Sequence, residues 1–243
     1  MKVALVTGGS RGIGLAVVRV LRADGLRVAA ASRSGAAPEA DLALACDVRD
    51  EAAVRRAVEE TRARLGGLDV VVAAAGVAES APLGRTDTAL WDRLIGVNLT
   101  GTFFVLRETL PHLQAQRSGR FVAIASTAGK AGDRYIAAYA ASKHGVLGLV
   151  RSAAREVAED GVTVNAVCPA YVETEMTLRT LRNIAQRTGK PEAEARRLLE
   201  ARSPQKRLYQ PEEVAAVVRF LVSDAAAGVN GQALNLCGGE LPI

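Results

Sequence analysis

Val3-Ala4-Leu5-Val6-Thr7-Gly8-Gly9-Ser10-Arg11-Gly12-Ile13-Gly14 decides the fold. An apolar strand over 3–7 runs into a glycine-rich turn, and an apolar-periodic helix is predicted over 12–24. The alternation then continues. Strands are predicted at 27–32, 42–46, 69–74, 120–125, 162–168 and 232–236, and helices near 51–65, 88–116, 134–159 and 211–223. Most strand candidates are nearly continuous apolar runs, as parallel strands covered on both faces should be. The last helix opens on Pro211, Glu212 and Glu213, where a missing donor costs nothing and carboxylates meet the positive helix end. The expected fold class is α/β, a doubly wound parallel sheet of about seven strands with helices on both faces. No linker, repeat or low-complexity tract divides the chain, so a single domain over 1–243 is expected. Residues 171–207 are too long for an ordinary connection and read as an inserted helical flap over the strand ends, where open α/β sheets bind ligands.

Composition narrows the class. The chain has 243 residues, 49% hydrophobic, with 23 glycines and few aromatics, which suits helices packed closely on a sheet. Cys46, Cys168 and Cys237 are odd in number and set in apolar sequence, so buried reduced thiols are expected. His112 and His144 do not lie at metal-ligand spacing, and no metal is expected. No apolar run approaches the roughly 18 residues of a membrane span, and the start turns into glycines too soon for a signal peptide. A cytoplasmic location is therefore expected, with no membrane partner. The net charge is +5, and residues 179–207 hold nine basic residues against three acids. Without interleaved aromatics or a reading motif, that excess does not point to nucleic acid.

The glycine loop implies a cofactor. Gly8, Ser10, Arg11, Gly12, Ile13 and Gly14 allow a tight turn and close approach of a diphosphate to a helix amino end, although Gly-x-x-x-Gly-x-Gly differs from the common Gly-x-Gly-x-x-Gly spacing. A turn with no nucleotide is the plainer alternative. Where an acid would hold the ribose 2′-hydroxyl of NAD, the second strand ends in Arg33. Arg33 and Arg11 could clamp a 2′-phosphate, which favours NADPH, with NAD as the alternative. Asp47-Val48 would sit beside the adenine, or simply form a strand-end turn.

Tyr139 and Lys143 are one helical turn apart and share a face. A phenol titrates near ~10, and an adjacent ammonium favours phenolate, so the pair suits acid–base work near neutral pH. Tyr135 lies one turn earlier, lacks a lysine partner and reads as a pocket wall.

The Thr7–Gly14 loop, Asp47-Val48, Ala73-Ala74-Ala75-Gly76, Asn98, Ser126, Tyr139 with Lys143, and Pro169 to Thr174 together resemble the short-chain dehydrogenase/reductase family across essentially the whole chain. The resemblance implies a Rossmann-type domain in which Ser126 polarises a substrate carbonyl, Tyr139 exchanges a proton with its oxygen, and Lys143 binds the nicotinamide ribose. It implies that Asn98 holds a water linking Lys143 to solvent, and that Thr174 and the Val172 backbone orient the carboxamide. Ala75, Gly76 and Pro169 complete the expected cofactor contacts. Two departures are Ala73-Ala74 for the family's Asn-Asn, which removes side-chain braces, and Pro169-Ala170 for Pro-Gly. Plainer alternatives remain: Asn98 as a satisfied helix contact, and Ser126 as a cap on the strand end.

Segments around Ser126–Lys130, Ala141–Gly145 and Asn165–Pro169 are similar to ketoreductases acting on 3-oxoacyl thioesters. NADPH-dependent reduction of such a thioester or a related ketone is expected. The basic flap would steer coenzyme A or an acyl carrier protein, or else be a solvated helix with Glu192 paired to Arg196. Asp160, where carrier-protein enzymes often have a basic residue, favours coenzyme A or a free ketone. The alternatives are a dehydrogenase of a sugar, steroid or small secondary alcohol, and a non-catalytic NADPH-binding sensor or scaffold. The resemblance also implies a homotetramer or homodimer formed through the helices near 88–116 and 134–159.

Overall fold

The computed structural model describes residues 1–241. Seven parallel strands, β1 (Val3–Thr7), β2 (Arg27–Ser32), β3 (Leu42–Ala45), β4 (Val70–Ala73), β5 (Gly119–Ile124), β6 (Val162–Pro169) and β7 (Ala233–Leu236), lie in the order β3-β2-β1-β4-β5-β6-β7. The order reverses direction between β1 and β4, which opens a crevice at their carboxyl ends. Thr7 pairs with Ala31 on one side and Ala73 on the other, which places the glycine loop at that crevice.

Side chains alternate between two cores. Val3 and Leu5 join Phe121, Val146 and Val150 on one face, while Ala4 and Val6 join Val17, Leu21, Val214 and Val218 on the other. Small Ala and Val residues on both faces let helices α1 (Gly12–Ala23) and α8 (Pro211–Val222) cover one side and α2 (Glu51–Leu65), α4 (Gly101–Ala115) and α5 (Ala137–Glu156) the other. Only β3, an edge strand, alternates buried and exposed residues.

Local chemistry sets the helix ends. The Asp50 carboxylate accepts from the Ala52 and Ala53 amides at the start of α2, and Gly66 closes it in the left-handed region. Pro211 opens α8, and Glu213 reaches back to the Gln210 amide at 2.7 Å.

The single helix expected over 88–116 is instead α3 (Thr88–Leu94), a π-helical segment Ile95–Thr100, and α4. A period-based reading cannot see that wider turn. The flap region holds α6 (Glu175–Thr188) and α7 (Glu192–Arg202), with their own small core of Leu181, Ala195, Leu199 and Leu208. The expected Glu192–Arg196 pair does not form. Arg196 instead holds Glu173, at the flap's root just before α6, and Glu200, while Glu192 lies 4.0 Å from Arg182. All three cysteines are buried free thiols.

Candidate active site

The glycine loop leaves no room for side chains. A Cβ on Gly14 would lie 2.2 Å from the Gly8 carbonyl oxygen, and Gly8 has φ +70° with the Ala75 backbone 2.8 Å from where its Cβ would be. Helix α1 starts after Arg11 with no side-chain cap and no acid in its first turn. Its first amides therefore point into the crevice with their positive end unneutralised, which suits a diphosphate.

The residues expected around the nucleotide converge here with partners of their own. Ser10 is half-buried in the turn, Ile13 packs on the α1 side of the core, and Ala75 donates to the Thr7 hydroxyl at 3.4 Å. Arg33 is exposed at the end of β2. Arg11 does not reach toward it but pairs with Glu175, at the start of α6, at 2.8 Å. Asp47 accepts from Arg49, with Nη2 at 2.6 Å, and this bond together with Arg33 holds its carboxyl below the ordinary range. Val48 packs beneath Gly101. Pro169 ends β6, and the Val172 carbonyl accepts from the Thr177 hydroxyl at 2.6 Å. Thr174 caps α6 and rests its methyl 3.3 Å from where a Gly12 Cβ would be, which brings the flap's root onto the glycine loop. An uncapped helix end, a side-chain-free loop and nearby arginines fit NADPH.

Across the crevice stand Ser126, Tyr139, Lys143 and Asn98. Ser126 follows β5; its hydroxyl accepts from the Ala128 amide at 3.1 Å and is hydrogen-bonded to Tyr139. It caps a turn and meets the phenol as well. Burial pushes the Tyr139 phenol above its ordinary value, against the Ser126 hydrogen bond. Lys143 is not among the groups that act on the phenol here. Lys143 Nζ lies 5.8 Å from the Tyr139 ring centre and donates to the Ile124 carbonyl at 2.8 Å. Burial lowers Lys143 to about 8.

Asn98, fully buried in the π-helical segment, bonds both the amide and the carbonyl of Val77 at 2.9 Å. It thereby braces the loop after β4, where Ala73 and Ala74 carry no side-chain amides. Asn98 also donates to the Ser142 hydroxyl, which donates to the Tyr139 carbonyl at 2.7 Å. Ser142 was missed by sequence reasoning. Its only signal is a hydroxyl within an apolar helix, three residues after the tyrosine. A Cβ on Gly76 would lie 3.4 Å from Asn98 Oδ1 and 3.8 Å from Lys143 Nζ, so the Gly76 backbone borders both groups.

The mouth is lined by loops. Tyr135, expected as a wall, is 57% exposed with φ +70°, and its carbonyl accepts from the Ala81 amide at 2.8 Å. That conformation is uncommon for a bulky residue. Tyr171 lies close enough to Tyr139 to act on its ionisation. His144 turns Nδ1 to the Ala140 carbonyl at 2.9 Å, apart from the crevice groups.

Comparison with known proteins agrees. The family model described as enoyl-(acyl carrier protein) reductase matches residues 8–240. The 3-oxoacyl-[acyl-carrier-protein] reductase MabA of Mycobacterium tuberculosis is 39% identical, over 97% of this chain and 91% of its own. Cis-4-hydroxycyclohexanecarboxylate dehydrogenase of Sinomonas cyclohexanicum is also 39% identical, over 100% and 97%. The crystal structure of a variant of the actinorhodin polyketide ketoreductase with NADPH superposes with a TM-score of 0.93 at 38% identity, covering 100% of this chain and 98% of that one. With fold, crevice and full-length matches in agreement, the chain belongs to the short-chain dehydrogenase/reductase family.

Proposed function

We propose that this single-domain chain is an NADPH-dependent oxidoreductase that reduces a ketone, a 3-oxoacyl thioester or a related compound, to a secondary alcohol. The observation that carries the reading is a half-buried Tyr139 phenol hydrogen-bonded to Ser126, with the buried Lys143 one turn along the same helix. NADPH, when bound, supplies the hydride to the carbonyl carbon. Arg33 would hold its 2′-phosphate, and Arg11 would join it on leaving Glu175.

The residues of the chain handle the oxygen. Ser126 and Tyr139 hydroxyls donate to the substrate oxygen, and Tyr139 gives up its proton as the alkoxide develops. The upward shift of Tyr139 suits this direction, since the phenol stays protonated through neutral pH. Lys143 at about 8 can lose and regain a proton under the same conditions. A water beside Gly76, between Asn98 and Lys143, would connect that lysine to solvent.

A second reading, a dehydrogenase of a small secondary alcohol, is supported by the likeness to the cyclohexanecarboxylate enzyme. Following NADPH and NADH oxidation with acetoacetyl thioesters, diketones and cyclic ketones separates the two. Turnover of thioesters with NADPH supports the first reading; NAD preference, with alcohols oxidised and thioesters untouched, contradicts it. Tight NADPH binding with no turnover on any compound would indicate a sensor.

Coenzyme A or an acyl carrier protein is the proposed thioester carrier, and a homodimer or homotetramer through α4 and α5 is the proposed assembly. Three buried free thiols suit a reducing, cytoplasmic setting. Among the described residues no helix is long and apolar enough to cross a membrane.

A further inference from the structure

The turn after β3 carries an ion pair that closes on itself. Backbone pairing fixes its place: the Cys46 amide donates at 2.8 Å to the carbonyl of Ser32, the residue before Arg33, and Val48 lines one narrow recess with Thr7, Ala73 and Ala75 below the crevice. Asp47 stands between those two points. Its carboxylate takes four hydrogen bonds from a single residue. Oδ1 accepts from the Arg49 amide at 3.0 Å and from Nε at 3.1 Å, and Oδ2 accepts from Nε at 3.1 Å and from Nη2 at 2.6 Å. An ionised carboxylate has about four lone-pair sites, so none is left over. The arginine is held along its stem as well. A Cβ on Gly96, in the π-helical segment, would lie 3.7 Å from Arg49 Cδ and 3.9 Å from Cγ, so the aliphatic part of the side chain runs beside that glycine.

We propose that Arg49 is a specificity-determining residue of the cofactor site: it fills the acceptor positions of Asp47, so the carboxylate does not select a purine for its amino group, and the site takes adenine and hypoxanthine dinucleotides alike. This inference rests on the NADPH reading of the crevice and deepens it. A bare carboxylate beside the base would accept from the 6-amino group of adenine and repel the 6-oxygen of hypoxanthine. Paired as it is, Asp47 offers neither the attraction nor the repulsion. The Arg49 side chain is 50% exposed, and the guanidinium hydrogens that Asp47 does not use are donors open to a ligand. Donors of that kind suit a ring nitrogen or a 6-oxygen, so the choice between the two bases disappears.

The test titrates NADPH and its deamino analogue, in which hypoxanthine replaces adenine, into the protein and follows nicotinamide fluorescence. No turnover is needed. Wild type is expected to bind the two with Kd values within about twofold of each other. Arg49→Met, which keeps an aliphatic stem beside Gly96 and frees the carboxylate, is expected to prefer NADPH by about fivefold or more. Adding Asp47→Ala to that variant is expected to abolish the regained preference. A wild-type preference for NADPH of more than about twofold overturns the proposal, and this comparison needs no variant to fold. An Arg49→Met protein with the wild-type ratio overturns it too. Failure of the wild-type protein to bind either nucleotide overturns the NADPH reading instead, an outcome distinct from equal binding of both.

Discussion

At the scale of the residue, burial sets the chemistry of the crevice. A proton on Lys143 is held at a cost, because moving a lysine from 10.5 to about 8 corresponds to on the order of 3 kcal/mol. Below about pH 8 that cost is fully present. Between there and 10.5 the unfolded chain binds more protons than the folded one, so stability due to this residue rises with pH. Urea unfolding should show wild type gaining on Lys143→Met from about pH 7 to about pH 10; a constant difference would mean the lysine is not perturbed. Gly76→Ala should set a methyl beside Asn98 Oδ1 and Lys143 Nζ and displace a water between them, lowering kcat about tenfold through a broken proton relay. Its melting temperature should hardly move, since 3.4 and 3.8 Å are ordinary contacts. Unchanged kcat would remove the relay. Tyr139 and Lys143 were legible from spacing. The lysine's tie to the Ile124 carbonyl, the Asn98–Ser142 hydrogen bond and the Arg11–Glu175 pair were not, because each joins residues that only the folded chain brings together.

At the scale of the element, the strands and the start of α8 could be read from local sequence, since apolar runs and Pro211 act within a few residues. The π-helical turn around Asn98 could not, because its cause is tertiary: an amide satisfied by Val77 and Ser142 fixes where the helix must present that residue. The flap was legible as an insertion, but its fastening was not. Arg196 holds Glu173 below its ordinary 4.5, so the pair stabilises the flap above that value and is lost as pH falls through the lowered one. Hydrogen exchange of α6 and α7 should quicken in that acidic window. Glu173→Gln should show the faster exchange already at about pH 7 and raise KM about fivefold with little change in kcat. Equal exchange in the two proteins would show that the flap is held by its apolar core alone.

At the scale of the whole molecule, seven strands of small apolar residues bring Thr7, Ala73, Ile124 and Pro169 to one edge, and the sequence order of the motifs becomes a single crevice at the switch between β1 and β4. Cofactor choice belongs to this scale, since Arg33 reaches that edge only through the pairing of β1 with β2. Arg33→Ala should weaken NADPH binding by about tenfold or more and leave NADH nearly unchanged by fluorescence titration; equal losses for both would place the 2′-phosphate elsewhere. All of this converges on one hydroxyl. The most direct measurement is single-turnover oxidation of bound NADPH by an acetoacetyl thioester in Tyr139→Phe, with NADPH affinity measured on the same protein. The account predicts hydride transfer slowed by about a hundredfold or more with NADPH affinity unchanged, and turnover at the wild-type rate would contradict it.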